Sequence, residues 1–150
     1  LYEKKLKKDL IADPNYVYIL NELLTAPYNP AFNDYNTPTN SLLTSRVSRK
    51  YSMKSGSTNS DYWMIGYNKD ALMLVWTGND DSSDLKVKDS RISKLIWLDT
   101  IESYFKNKET SWYETPKHVV AKIQNGITGE INNKNKFLFY YLKGTENIVK

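Results

Sequence analysis

The chain has 150 residues, 40% hydrophobic and 25% charged, with 21 Lys plus Arg against 17 Asp plus Glu for a net charge of +4. That balance excludes a disordered tail or a membrane channel, and the length suits one domain or a substantial piece of a larger one rather than a complete multidomain enzyme. The absence of cysteine excludes disulfides, thiolate zinc sites and a cysteine nucleophile, and the single histidine, His118, cannot alone build a multi-histidine metal site.

Residues 1 to 8 carry Lys4, Lys5, Lys7 and Lys8 and read as the solvated end of a strand or linker. They lack the apolar core of a signal peptide, so any export signal or anchor is expected outside this sequence. Asp13-Pro14 supplies a cap followed by proline at the first helical position, and Val17, Leu20, Leu23 and Leu24 recur at helical spacing. A helix over about 14 to 25 follows. Pro27, Pro30 and Pro38, interleaved with Asn29, Asn33, Asn36 and Asn40, break any periodicity and predict a long loop over 26 to 40.

Three strands are predicted at about 49 to 57, 61 to 67 and 71 to 77, an antiparallel meander whose last turn is Asn68-Lys69-Asp70. Ala71 to Trp76, among the longest apolar runs, is far short of the roughly 20 residues that span a bilayer. Both faces of the later strands are apolar: Trp63, Ile65 and Tyr67 alternate with Tyr62 and Met64, and Leu72, Leu74 and Trp76 with Met73 and Val75. This predicts a sheet covered on both sides. The acidic run Asn79 to Asp84 is a solvated loop that lacks the Gly and final Glu of an EF-hand. Asp89-Ser90 can cap a helix over about 90 to 106, whose stripe Ile92, Leu95, Leu98, Ile101 and Phe105 should dock on the sheet. Beyond Pro116, Val119 to Gln124 and Phe137 to Leu142 read as strands, with Asn125-Gly126 a hairpin-type turn. The twelve tyrosines and four tryptophans are read mainly as core and strand residues. The fold class is thus α/β of the α+β type, an antiparallel sheet covered by helices with a small β-rich tail.

Chemistry concentrates in Lys54-Ser55-Gly56-Ser57-Thr58-Asn59 at the end of the first strand. A strand edge offers backbone N–H groups, Gly56 lets a ligand approach the backbone, Lys54 supplies charge, and two hydroxyls can hold a carboxylate. The tripeptide Lys-Ser-Gly alone also fits an ordinary polar junction between strand and turn. Its context is more specific. Together with Asp61-Tyr62-Trp63-Met64-Ile65-Gly66-Tyr67 and Leu74-Val75-Trp76-Thr77-Gly78, the block resembles the C-terminal part of the transpeptidase domain of class A penicillin-binding proteins, the bifunctional peptidoglycan synthases. Residues 1 to 108 would be that portion, and 109 to 150 an appended β-rich tail.

The family chemistry is acyl transfer by a serine nucleophile, through Ser-x-x-Lys, Ser-x-Asn and Lys-[Ser/Thr]-Gly. Ser83-Asp84-Leu85-Lys86 and Ser103-Tyr104-Phe105-Lys106 match the first spacing but follow the Lys-Ser-Gly strand, whereas the family nucleophile precedes it. Ser57-Thr58-Asn59 fits Ser-x-Asn only inside the Lys-Ser-Gly block. The nucleophile is therefore expected outside this chain, which alone would be inactive. The resemblance implies that Lys54 organises proton transfer and attracts the substrate carboxylate, and that Ser55 and Ser57 direct hydroxyls into the cleft. It further implies that the Ser57 N–H is an oxyanion donor, with Gly56 and Thr58 completing the substrate-binding strand. Serine stands at 55 and 57 where the family more often has threonine.

The implied substrate is a peptidoglycan stem peptide ending in D-Ala-D-Ala, with a second stem peptide's amine as acceptor and β-lactam antibiotics as inhibitors. The upstream part of the same transpeptidase domain would be its partner. The whole protein would be membrane-anchored on the outer face of the bacterial cell membrane, with an upstream glycosyltransferase domain and no metal or organic cofactor. The competing reading is a non-catalytic module binding glycan or another polyanion through the tyrosine-rich sheet. Nucleic acid is not expected as a partner, because the basic residues are dispersed and match no binding motif.

Overall fold

Alternating side chains between two short polar turns build the centre of the structure, a computed structural model that describes residues 9–32, 36–131 and 137–146. The Lys-rich stretch 1–8 lies outside them. Strands β1 (Ser52–Ser57), β2 (Asp61–Tyr67) and β3 (Leu72–Gly78) form an antiparallel sheet in the order β1-β2-β3. Thr58 turns the chain between the first two: its hydroxyl accepts from the N–H groups of Ser60 and Asp61, both at 3.1 Å. Asn68 does the same for the second turn, its Oδ1 accepting from Asp70 and Ala71 at 2.9 and 3.0 Å. The resulting register sets Ser55 opposite Met64 and Met64 opposite Val75. Met53, Met64, Gly66, Met73 and Val75 therefore share one face.

Helix α2 (Arg91–Phe105) covers that face. Asp89 caps it, accepting from the Arg91 N–H at 3.0 Å, and the Arg91 guanidinium forks onto the same carboxylate, which holds the Asp89 carboxyl down at about 2. The docking stripe is Lys94, Trp97, Leu98, Ile101 and Phe105. The predicted stripe is corrected at two positions: Ile92 is exposed and Leu95 only half-buried. The reason is a slot. Gly66 leaves its face open, and the fully buried Trp97 ring fills the space, so that a Cβ built on Gly66 would sit 2.2 Å from the indole. The indole Nε1 donates to the Met73 carbonyl at 3.2 Å, and Tyr51 meets the ring edge-on at 5.2 Å. Leu43, from the loop before β1, closes this core with Tyr51, Met53, Met64, Val75, Leu98, Ile101 and Phe105.

The other face of the sheet is not covered as predicted: Trp63, Leu72, Leu74 and Trp76 stand exposed, at 39% to 67%. Helix α1 (Pro14–Leu23) reaches this sheet at the start of β1 and the end of β2 and leaves the exposed face open; Met53 N–H donates to Leu24 O at 2.9 Å. Its cap is as predicted, with Asp13 Oδ1 accepting from Asn15 N–H, but its buried face is not. Val17, Leu20 and Leu23 are exposed, whereas Tyr18, Asn21 and Glu22 are buried. Partners account for the inversion. Asn21 accepts from Ser52 Oγ and the Tyr67 hydroxyl, and the Glu22 carboxylate takes Lys50 at 2.5 Å and the Trp112 indole at 2.7 Å.

The predicted loop 26–40 holds two short 3-10 turns, at Ala26–Tyr28 and Pro30–Phe32, and a third follows at Ser41–Leu43. Beyond α2, β4 (Val119–Gln124) and β5 (Phe137–Leu142) pair antiparallel in a separate two-stranded sheet that rests on α1, Tyr140 meeting Tyr18 edge-on at 5.5 Å. Asn125-Gly126 does not make the tight hairpin expected. Asn125 Oδ1 accepts from Ile127 and Thr128, and a bridge between Gln124 and Ile131 continues the turn, so the strands are joined by a longer connection.

Gly66→Ala should force the Trp97 indole out of its slot and cost about 1–3 kcal/mol or more in thermal or denaturant unfolding, since overpacked cores relax only partly. Two buried tyrosines set an alkaline limit. Burial raises the Tyr18 hydroxyl to about 12 and, with the neighbouring Glu102 carboxylate, raises Tyr51 further. Their folded pKa values exceed the unfolded one near 10, so the folded state holds more protons in that window. Their contribution is complete below pH 10 and lost as pH rises through the folded values. Melting temperature should fall above about pH 10, and Tyr51→Phe should flatten the fall.

Candidate active site

Because β1 is an edge strand, half of its backbone groups face away from β2. The N–H of Met53 points outward to Leu24 O, and the period of two puts the N–H and C=O groups of Ser55 and Ser57 on the same free edge. The Ser55 carbonyl accepts there from the Lys54 ammonium at 2.6 Å. Beside this edge lies a groove of about 380 Å³, lined by Lys54, Ser55, Gly56 and Ser57 on one side and by Thr39, Ser90 and Lys94 on the other. The structure thus brings four of the five sequence-predicted site residues together. Thr58 is not among the lining residues; its hydroxyl is engaged in the turn to β2.

Gly56 is a glycine that the fold itself does not require. Its φ is not positive, and a Cβ there would meet only Trp63 Cβ at an ordinary 3.6 Å. That contrasts with Gly66, where packing leaves no room. The opposite wall was not read from the sequence. Lys94 Nζ donates to the Thr39 carbonyl at 2.5 Å, tying the loop before β1 to the first turns of α2. Burial, with the Lys54 charge nearby, pushes its ammonium below the usual lysine range. The available signal was its spacing, since Lys94 falls three and four residues before Trp97 and Leu98 on the docking stripe. Ser90 precedes α2 without using its hydroxyl as a cap, and Thr39 had no sequence signal beyond lying in a proline-rich loop. Neither Ser83 nor Ser103 lines the groove; Ser83 accepts from Asn79 in the acidic loop, and Ser103 lies on α2 toward its C-terminal end.

The chain is 30% identical to penicillin-binding protein 2D of Bacillus subtilis (strain 168), over 97% of its own length and 22% of that protein's. The chain corresponds to the C-terminal part of a penicillin-binding protein's transpeptidase domain. The fold agrees: the crystal structure of penicillin-binding protein 1A from Haemophilus influenzae superposes with a TM-score of 0.68 at 21% identity, over 83% of this chain and 19% of that one. No protein-family model matches the chain. The recognition made from the block around Lys54 to Ser57, and the transpeptidase-like α+β fold it implied, are thereby borne out. The chain spans about a fifth of the length of these penicillin-binding relatives.

The contrast between the two glycines gives a test. Gly56→Ala adds a methyl group where the chain itself has room, so the melting temperature should hold or rise slightly, as alanine costs less backbone entropy than glycine. If the groove takes a ligand against this backbone, the same substitution should weaken capture of a labelled penicillin by the complete protein, read by gel fluorescence.

Proposed function

We propose that this segment supplies the Lys54-Ser55-Gly56-Ser57 wall of a serine D,D-transpeptidase that cross-links peptidoglycan stem peptides and is acylated by β-lactams. The observation that carries the proposal is the free β1 edge, with the Ser57 N–H directed into a groove beside two lysines and several hydroxyls. In this reading a serine from the upstream part of the same domain attacks the carbonyl between the two terminal D-alanines. The Oγ–C bond forms, the C–N bond breaks, and the last D-alanine leaves with the serine's proton on its amine. The amine of a second stem peptide then displaces the serine. The Ser57 N–H stabilises the oxyanion as one of two donors, Lys54 helps deliver the proton to the leaving amine, and the Ser55 and Ser57 hydroxyls hold the terminal carboxylate. This segment alone is inactive because the nucleophile is not among its correctly placed serines.

The surroundings suit a part of a larger protein. The exposed Trp63, Leu72, Leu74 and Trp76 and the outward stripe of α1 are apolar faces for the rest of the transpeptidase to cover. We place the complete protein on the outer face of the bacterial cell membrane, with a membrane anchor and a glycosyltransferase domain elsewhere in its chain. Residues 109 to 150 form an appended β-rich tail in this proposal. The exposed Trp63 and Trp76, 6.2 Å apart, would favour the alternative of a non-catalytic glycan-binding module.

Three substitutions in the complete protein separate these readings. Ser57→Pro should slow acylation by a labelled penicillin about 100 to 1,000-fold through loss of one oxyanion donor, yet spare the sheet, because that N–H does not bond β2. Lys54→Ala should slow acylation with little change in melting temperature. Ser57→Ala should be milder, since the N–H survives. Unchanged acylation in Lys54→Ala and Ser57→Pro would remove β1 from the active site and leave the glycan-binding reading.

A further inference from the structure

Lys94 is a charge that neither the strand motif nor the docking of α2 explains. Its side chain sits on the stripe that is otherwise Trp97, Leu98, Ile101 and Phe105, and the residue is 8% exposed. Burying an ammonium is costly unless it is paired, and an apolar side chain of similar length would fill the position at lower cost. Among the described residues no carboxylate pairs with it. Its acceptor is the Thr39 carbonyl, which engages one of three N–H donors.

The same holds across the groove, where Lys54 has its acceptor in the Ser55 carbonyl and likewise pairs with no carboxylate among the described residues. Two cations close enough to repel each other therefore face one cavity whose other polar groups are the hydroxyls of Ser55, Ser57, Ser90 and Thr39. No acidic residue lines it. Such a cavity favours an anion, and an arriving carboxylate would relieve the repulsion between the lysines while adding two charge-assisted hydrogen bonds.

We propose that Lys94 is a substrate-binding residue, the second cation of a carboxylate site formed with Lys54 and the hydroxyls of Ser55 and Ser57. The inference rests on the transpeptidase reading above and deepens it: α2 contributes, through Lys94, a charge to the carboxylate site that the strand motif does not supply. Lys94 also secures the Thr39 wall, so a purely architectural role must be separated from binding.

The experiment uses the complete protein, a fluorescent penicillin with a free carboxylate and the methyl ester of the same penicillin. Concentration dependence of acylation separates binding from the chemical step, and a thermal melt accompanies each variant. Lys94→Gln removes the charge while keeping an N–H for the Thr39 carbonyl. It should raise the half-saturating concentration of the acid about 10 to 100-fold, the loss of a hydrogen bond to a charged group. The maximal acylation rate should change little, and the ester should react as it does with the unsubstituted protein. Lys94→Arg keeps the charge and should keep the preference for acid over ester. Equal losses for acid and ester in Lys94→Gln would assign Lys94 to architecture, and no loss for the acid would remove it from the site; either overturns the proposal. If Lys94→Gln does not fold, Lys94→Arg decides, because a variant that keeps the charge but loses the preference for acid also overturns it. An unsubstituted protein acylated by neither compound would instead defeat the transpeptidase reading, and this inference with it.

Discussion

The insertion of Trp97 into the slot above Gly66 is the contact on which the rest of the segment depends. A three-stranded meander is marginal alone, and this sheet gains its core from one helix laid across one face. The indole fixes both the height and the rotation of α2, because a ring that fills a glycine gap tolerates no sliding. Once Trp97 is seated, Leu98, Ile101 and Phe105 follow toward the C-terminal end, where Arg49 bonds the Phe105 carbonyl and Glu102 takes Ser48 and Tyr51. Lys94 is carried in the other direction, to the mouth of the groove. The same contact that builds the core therefore sets the distance between the two walls of the site.

The groove follows from an unpaired edge. Edge strands expose backbone donors that elsewhere invite aggregation, and proteins commonly blunt them with charge. Here Lys54 lies on the edge strand and its ammonium bonds the Ser55 carbonyl, while Lys94 and Ser90 stand opposite. An edge protected in this way against another strand is still open to the short extended ligand proposed above, so that in the proposed reading structural protection and recognition use the same groups.

Polar contacts tie α1 to this core and to the segment that precedes the C-terminal hairpin, whereas the hairpin itself meets α1 through the Tyr18–Tyr140 ring contact. Glu22 joins Lys50 and Trp112, Lys50 also stacks over the Trp112 ring at 4.7 Å, and Tyr18 bonds Thr115 at 2.8 Å. A buried carboxylate held by a cation and an indole N–H fixes geometry more than it adds stability, since removing its charge from water offsets much of the attraction. The apolar stripe of α1 is thereby left facing outward. A helix with two usable faces can join this segment to further structure without loosening its hold on β1.

Local chemistry in the sequence determined the elements: Asp13-Pro14 starts α1, Thr58 and Asn68 make the two turns of the meander, and strict alternation sets which residues of β2 and β3 share a face. The block from Lys54 to Ser57 was legible for the same reason, since its residue types are contiguous on one strand and resemble a known family. Faces were decided only by tertiary structure. Periodicity put Val17, Leu20 and Leu23 inward and both sides of the sheet under cover, because it registers apolarity and not the availability of a partner. The inward face of α1 was instead decided by hydrogen bonds from Ser52, Tyr67, Lys50 and Trp112, residues 28 to 90 positions away from their acceptors in the chain. The far wall of the groove was invisible for the same reason. Thr39, Ser90 and Lys94 are dispersed in sequence, and only the seating of Trp97 on Gly66 brings them opposite the edge of β1.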